Sequence, residues 1–274
     1  MPTLQSPASV HDVRVVDRTE LAPGIVLLGF YAPELCRVTR PGQFIMAIPP
    51  AGGRPAVALA IYEAQDDRVS LLFFVLGSRT RELSELRQGE FLSLTGPLGN
   101  GFSIDGAQDV AIAAGGVGIA SVLLPAQALI RAGARVRLYY GARTADALVE
   151  AQRFAQEGCA VSCATDDGSF GHHGFVTELL AATEERPDLV LACGPSAMLR
   201  ATAFVACELG VPAQLSLEEP FACGVGGCWG CVVPVDRASA QAPRFPSGES
   251  GGSDFVFARV CKEGPVFWAH ELRW

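Results

Sequence analysis

Cys223, Cys228 and Cys231 stand in the stretch 218–234, EEPFACGVGGCWGCVVP, at C-x4-C-x2-C spacing, and Cys261 follows in RVCKEGP. Thiolates are soft ligands for iron and zinc, and this spacing is the plant-type pattern for a [2Fe–2S] cluster. Two irons need four thiolates converging on one small volume, so a tight loop must deliver three of them. Gly224, Gly226, Gly227 and Gly230 allow such a loop, because glycine reaches positive φ at little cost. Small residues also leave room for backbone N–H groups aimed at the sulfurs, a lever on reduction potential. The competing reading is a structural zinc site. Zinc loops commonly use C-x2-C twice; here one pair is C-x4-C and the fourth thiol stands alone. A disulfide framework fits this spacing less well still.

Other residues that could do chemistry sit in glycine turns. Gly77, Ser78, Arg79 and Thr80 close a strand-like run and open the polar helical segment RELSEL, so backbone N–H groups there could meet a phosphate. Gly115, Gly116 and Gly118 form a turn into an apolar helix; the full G-x-G-x-x-G fingerprint is not present, and helix packing alone could explain them. His172 and His173 are adjacent in a loop with no third ligand near in sequence, which predicts solvent-exposed histidines rather than a metal site. Of Asp166 and Asp167, at least one is expected to cap its loop or contact a nucleotide rather than form an acid/base pair.

The elements that must position these groups change character along the chain. Runs at 13–16, 25–30, 43–48, 57–62 and 69–76 are β-branched or aromatic and are punctuated by Pro and Gly, including Pro49-Pro50 and Gly52-Gly53. They predict an antiparallel barrel or sandwich over residues 1–105, which the segment 96–102 (GPLGNGF) then leaves. From 106 to 217, strands at 109–115, 135–143, 160–165, 188–194 and 213–218 alternate with helical stretches at 115–133, 145–158, 174–183 and 195–210. That alternation predicts a parallel, doubly wound α/β sheet, which binds ligands at the carboxyl ends of its strands. Loops bearing Gly115, Gly116 and Gly118, then Arg143, then Asp166, then Cys193, Gly194 and Pro195 all fall at that edge and together suggest a dinucleotide crevice. Pro125 falls inside a predicted helix and could kink it.

Residues 218–274 read as a small module. A Ser-, Ala-, Gly- and Pro-rich stretch at 235–254 is a long excursion. A hairpin must carry Cys261 back across the 29 residues that separate it from Cys231. Phe257, Val266, Phe267 and Trp268 are the expected core that shields the cluster. Trp229 either covers the cluster or presents an aromatic face to a partner.

Whole-chain properties bound the function. A chain of 274 residues, 49% hydrophobic, is long enough for two domains and a small third. The net charge of −8 argues against a phosphate-tracking nucleic-acid binder. No apolar run spans a membrane, and the first residues lack a basic flank and apolar segment, so neither a membrane span nor a secretory signal is expected. Nine cysteines is an odd count, and several of the others lie in apolar runs where a free thiol acts as a small core residue. A soluble chain in a reducing compartment, the cytoplasm, is the expectation.

The residues 165–177 (TDDGSFGHHGFVT), 193–199 (CGPSAML), 216–234 (SLEEPFACGVGGCWGCVVP) and 261–267 (CKEGPVF) carry a resemblance over nearly the whole chain. The sequence resembles the electron-transfer subunit of the NAD-dependent, class 1B dihydroorotate dehydrogenases, in the ferredoxin reductase superfamily. The resemblance implies an FAD-binding β-barrel, an NAD-binding α/β domain and a C-terminal [2Fe–2S] module with Cys223, Cys228, Cys231 and Cys261 as ligands. It implies an FMN-containing catalytic partner in a heterotetramer, NAD(H) as acceptor and a place in pyrimidine biosynthesis. The flavin phosphate loop falls on Gly77, Ser78, Arg79 and Thr80, with Arg79 where a glycine is usual, and the 96–102 segment, starting at Gly96, matches unchanged.

One departure concerns the flavin. The family places an Arg-Pro-x-Ser run before Ile-Tyr; here Val57, Ala58, Leu59 and Ala60 precede Ile61 and Tyr62, and an arginine expected in the next strand is Phe74. Such an arginine grips pyrophosphate through charge-assisted hydrogen bonds worth about 1.5–3 kcal/mol each. Either Arg54, upstream, replaces it, or flavin binds weakly, or it is absent. Three functions therefore stand open: the dihydroorotate dehydrogenase subunit, the small subunit of a related NAD(P)H:ferredoxin or sulfide-type oxidoreductase, and a flavin-free relay subunit. With Arg143 the one arginine after the second strand of the α/β domain, NAD is expected over NADP.

Overall fold

The computed structural model describes residues 9–49, 55–238 and 254–274. Arg54, Pro50, Gly52, Gly53 and residues 239–253 of the expected excursion lie outside the described residues.

Six strands close an antiparallel barrel: β1 (Ser9–Ala22), β2 (Ile25–Tyr31), β3 (Phe44–Ile48), β4 (Val57–Gln65), β5 (Arg68–Phe74) and β6 (Phe91–Leu98), in the order β1-β2-β5-β4-β3-β6. Alternation drives it: along β6 every second side chain is buried, and Val15, Leu28, Ile45, Leu71 and Leu94 meet inside with no exposure. Closure leaves no bare strand edge. The sequence reading ended the barrel before 96–102. Instead Gly96 pairs with Ser9 and Leu98 with Phe44, so the first residues of that segment finish β6. Two short helices cross between strands, α1 (Pro33–Val38), which the strand-like pattern did not announce, and α2 (Ser78–Ser84), which it did.

The following residues build a parallel sheet from β7 (Asp109–Gly115), β8 (Arg135–Ala142), β9 (Ala160–Thr165), β10 (His172–His173), β11 (Leu189–Cys193) and β12 (Ala213–Ser216), ordered β10-β9-β8-β7-β11-β12. Helices α3 (Leu123–Arg131) and α4 (Ala151–Glu157) cover the face that carries Val110 and Ile112, whereas α5 (Val176–Ala181) and α6 (Ser196–Glu208) cover the face that carries Ala111 and Ala113. Both faces are buried, so β7 reads as a continuous apolar run. Strand order reverses between β7 and β11, which opens a crevice at their carboxyl ends.

Two predicted helices are interrupted. The 115–133 stretch is a 3-10 turn over Gly116–Ser121 followed by α3, and Pro125 occupies the first turn of α3, where a missing N–H is harmless. The 145–158 stretch breaks at Glu150, which has φ 63°. Its carboxylate is held elsewhere, by a hydrogen bond from the buried Tyr62 hydroxyl of β4 at 2.5 Å. Burial first, then the Glu150 charge, raise the Tyr62 phenol well above its ordinary value. Beside it, Arg153 donates to Glu63 at 2.6 Å, so barrel and sheet are tied by polar contacts over a shared apolar core of Ile25, Leu72, Leu123 and Phe154.

The chain ends in a hairpin of β13 (Val232–Asp236) and β14 (Phe255–Arg259), then β15 (Val266–Trp268). The hairpin was anticipated. Of the residues expected to shield the thiols, Phe267 of β15 is buried in one core with Cys231 and Cys261, whereas Phe257 is 48% exposed, and Val266 and Trp268 pack into the other core cluster as β15 adds itself antiparallel to β12. Among the described residues no helix is long and apolar enough to cross a membrane.

Candidate functional site

The 223–231 loop brings its cysteines together in pairs. Cys223 and Cys228 hydrogen-bond to each other near the surface, and Cys231 and Cys261 form an inner pair, each 2% exposed. Backbone N–H groups point at sulfur, from Gly227 to Cys223 at 3.3 Å and from Cys261 to Cys231 at 3.4 Å. Burial opposes ionisation of Cys223, but hydrogen bonds from Cys228, Val225 and Gly227 outweigh it and hold that thiol below its ordinary range. Burial, then the hydrogen bond and charge of Cys231, push Cys261 up, and Cys223 adds to the push, so the two pairs sense each other. Among the described residues no three His, Cys, Asp or Glu side chains converge on a single ion position. Four thiols in two neighbouring pairs are a donor set that fits two bridged irons, as it would one tetrahedral zinc.

The local backbone explains this. Cys231 leads directly into β13, whose Val232 pairs with Arg259 at the end of β14, which returns Cys261 beside Cys231. Gly224 and Gly226 have φ of 69° and 85°, and a Cβ on Gly224 would stand 2.5 Å from Met46 of the barrel. Gly227 and Gly230, also singled out from sequence, need no left-handed backbone. Trp229 does, at φ 57°, and its ring lies half-buried under the Arg259 guanidinium, 4.4 Å away.

A second centre lies where β7 and β11 end. A Cβ on Gly118 would stand 2.3 Å from the Cys193 carbonyl oxygen, and one on Gly115 would stand 2.6 Å from Met198 Sδ. Gly194 has φ 156°, and a Cβ there would stand 2.9 Å from the same methionine. The sequence-predicted groups Gly115, Gly116 and Gly118 and Cys193, Gly194 and Pro195 thus meet across the switch point as a close-packed glycine cradle. Cys193 has no exposure, and its Sγ lies 3.7 Å from Glu218 Oε1. Burial, then the Glu218 charge, drive the Cys193 thiol far up, so it keeps its proton. Glu218 opens to the crevice but is ringed by protein, and burial raises its carboxyl too. Sequence reasoning passed over Glu218; its one signal was its place just ahead of the cysteine loop.

Between the two centres is a cavity of about 270 Å³. Ala58, Leu59 and Ala60 form one wall, Val117 and Ser121 another, and Glu218 and Phe221 a third. Phe221 packs on Phe44 of β3, with ring centroids 4.9 Å apart. Apolar walls with hydroxyls at the edge fit a flat heteroaromatic ring, and among the described lining residues no side chain is cationic. Ile61, expected at this site, is fully buried in the barrel core, and Gly96 packs on Ile45 within β6. At the cavity's flank, Thr80 Oγ1 accepts the Leu76 and Gly77 N–H groups at 3.0 and 3.1 Å. Arg79 Nη1 donates to the Ala56 carbonyl at 2.9 Å, which places its guanidinium against the start of β4.

The remaining candidates lie along the sheet edge. Arg143 and Asp166 are exposed, and the chains after β8 and β9 run together, Asp166 N–H to Ala142 O at 3.1 Å. Asp167 caps its own turn through the Ser169 hydroxyl and N–H, which lower its carboxyl. His172 and His173 form the short strand β10 rather than a loop, and His172 pairs with Glu178 at 2.6 Å.

Comparison with known proteins agrees with this geometry. The family described as oxidoreductase NAD-binding domain matches residues 112–203. The chain is 31% identical to the dihydroorotate dehydrogenase B (NAD(+)) electron transfer subunit of Desulforamulus reducens, over 97% of this chain and 99% of that one. It is 33% identical to the subunit of the same name from Listeria monocytogenes, over 96% and 98% of the two chains. Among solved structures, an NADH-dependent reduced ferredoxin-NADP oxidoreductase superposes with TM-score 0.82 at 28% identity, over 96% of this chain and 90% of that one. A ferredoxin reductase of carbazole 1,9a-dioxygenase shares the fold, with TM-score 0.66 at 24% identity over 75% and 67% of the two chains. At 31–33% identity over nearly the full length of both chains, the chain belongs to the family of dihydroorotate dehydrogenase B (NAD(+)) electron transfer subunits.

Proposed function

We propose that this chain carries electrons from an FMN-containing dihydroorotate dehydrogenase partner to NAD, through a [2Fe–2S] cluster on Cys223, Cys228, Cys231 and Cys261 and an FAD in the barrel cavity. The carrying observation is continuity: Ser216, Leu217, Glu218 and Phe221 line the cavity, and the same strand of chain reaches Cys223 two residues later. A cluster exchanges single electrons and a nicotinamide takes a hydride, so a flavin between them supplies both kinds of step.

The chain's own residues have separable tasks. Gly115, Gly116, Gly118, Cys193, Gly194 and Pro195 admit the dinucleotide backbone, with Arg143 and Asp166 at its far end. Cys193 holds its proton at Sγ against Glu218 Oε1 on the crevice wall. Leu59 and Ala60 shape the flavin cavity; Gly77, Ser78 and Thr80 frame its phosphate end. Arg79, from α2, supplies the cation that the 57–60 run lacks, alongside Arg54. Residues 1–105, 106–217 and 218–274 serve as flavin, nicotinamide and cluster domains. A cytoplasmic heterotetramer working in pyrimidine biosynthesis follows from the same reading.

Likeness to the NADH-dependent reduced ferredoxin-NADP oxidoreductase favours a second reading, a related reductase subunit with another partner. Anaerobic purification with metal, sulfide and flavin analysis, and identification of any co-purifying subunit by mass, decides between them. About two irons and two sulfides per chain with FAD, and a partner that oxidises dihydroorotate, is the expected result. Zinc without sulfide would overturn the cluster; iron and sulfide without flavin would leave a flavin-free relay.

A further inference from the structure

Arg259 joins the two pieces of chain that carry the thiols. It closes β14, two residues before Cys261, and its guanidinium reaches back into the 223–231 loop. Nε donates to Glu263 Oε2 at 3.0 Å and Nη2 to Glu263 Oε1, a bidentate fork. Nη1 donates to the Gly226 carbonyl at 2.7 Å. The plane of the fork lies over the Trp229 ring at 4.4 Å. Glu263 is itself oriented, since it accepts the Arg259 backbone N–H at 2.7 Å. The two side chains are 15% and 13% exposed, so little water screens them. Gly226 and Trp229 both have positive φ, and both are engaged by this one guanidinium. For a tryptophan that backbone is uncommon and persists where surroundings hold it.

We propose that Arg259 is a positioning and potential-setting residue of the thiol site: it braces the 223–231 loop against the Cys261 segment and keeps a fixed positive charge beside the inner pair, Cys231 and Cys261. The proposal rests on the iron–sulfur reading of the four thiols. Cys261 and Cys231 lie within electrostatic reach of the guanidinium. A fixed cation in a poorly screened place favours whichever state of the site carries one more electron, and so raises its reduction potential. Fork and charge are separable, because lysine keeps the charge but loses the planar geometry that meets Glu263 and Gly226 together.

The test uses full-length protein with its partner, purified anaerobically, with iron and sulfide content and an EPR-monitored redox titration for each variant. Arg259→Gln is expected to shift the midpoint to more negative potential at full iron content. Arg259→Lys is expected to keep the midpoint near that of the parent and to lose iron faster in air. Glu263→Gln, which removes the neighbouring negative charge, is expected to shift the midpoint the other way. An unchanged midpoint in iron-replete Arg259→Gln overturns the proposal. So does a shift of the same sign in Arg259→Gln and Glu263→Gln, as a brace without electrostatic effect would give. Where Arg259→Gln fails to hold iron, the other two variants carry the test: a negative or absent shift in Glu263→Gln, or a midpoint in Arg259→Lys that moves as far as removal of a charge would move it, overturns the proposal. If the parent chain holds zinc, or iron without sulfide, the iron–sulfur reading itself fails, a result distinct from these.

Discussion

Cys193 and Glu218 show how much chemistry a single contact can set. Their side chains meet in a crevice built from two distant loops: the Glu218 charge adds to burial in holding the Cys193 proton on, whereas the Cys193 thiol offsets part of the burial that raises Glu218. Glu218 has an ordinary value of 4.5 and a raised folded value, so the folded state binds the extra proton. Stability from this group is complete below 4.5 and is lost as pH rises through the raised value. Glu218→Gln is therefore expected to flatten that decline, read from chemical denaturation across a pH series. Arg79 makes a second residue-scale prediction. Arg79→Gln should weaken FAD binding to the flavin-free protein about tenfold or more, by loss of charge-assisted contacts, while leaving riboflavin, which has no phosphate, unaffected; equal loss for both ligands would refute it. That the four thiols would lie near one another was legible because three of them report their proximity through local spacing. Glu218 was not, because 25 residues separate it from Cys193 and only the β12 turn brings them together.

At the scale of elements, propensity decided most and tertiary contacts overruled it at definite places. The alternation of β7 to β12 with helices was readable because fully apolar strands and amphipathic helices differ in period. The break at Glu150 was unreadable: a good helix former takes a left-handed backbone because a hydroxyl on another element holds its carboxylate. That contact is worth testing. Tyr62→Phe removes the donor from a charged acceptor in a largely buried place and should cost about 1.5–3 kcal/mol in unfolding free energy, read from urea denaturation. The end of β6 was missed for a related reason, since only pairing with Ser9 and Phe44 makes a strand of Gly96, Pro97 and Leu98. Just past that strand, Asn100 fastens the tail: Nδ2 donates to the Val266 and Glu263 carbonyls at 2.6 and 3.1 Å, and Oδ1 accepts the Val266 N–H at 3.1 Å. Asn100→Ala leaves these backbone groups unmatched, and amide exchange around 263–266 should quicken markedly while the barrel core stays protected.

For the whole molecule, the sequence divided cleanly into three stretches, but the chain does not pack as three separate bodies. Barrel and sheet share a core through Ile25, Leu72 and Phe154, and the 223–231 loop approaches Met46 of the barrel at Gly224. That sharing keeps the cavity lined by Ala58, Leu59 and Ala60, the glycine cradle and the thiols in fixed register. Substituting Gly118 by Ala should disturb all three at once, because the added methyl meets backbone rather than a flexible side chain. A loss of about 1–3 kcal/mol with weakened NAD binding is expected, measured by thermal shift with and without nucleotide. The last strand adds a consequence of another kind. Since β15 zips onto β12, a nascent chain that has emerged only as far as β12 holds a sheet with one flank bare, ready to pair with a neighbour. That flank is covered only once the thiol-bearing segment that follows has also emerged, so β15 is the latch that ends the sheet's exposure.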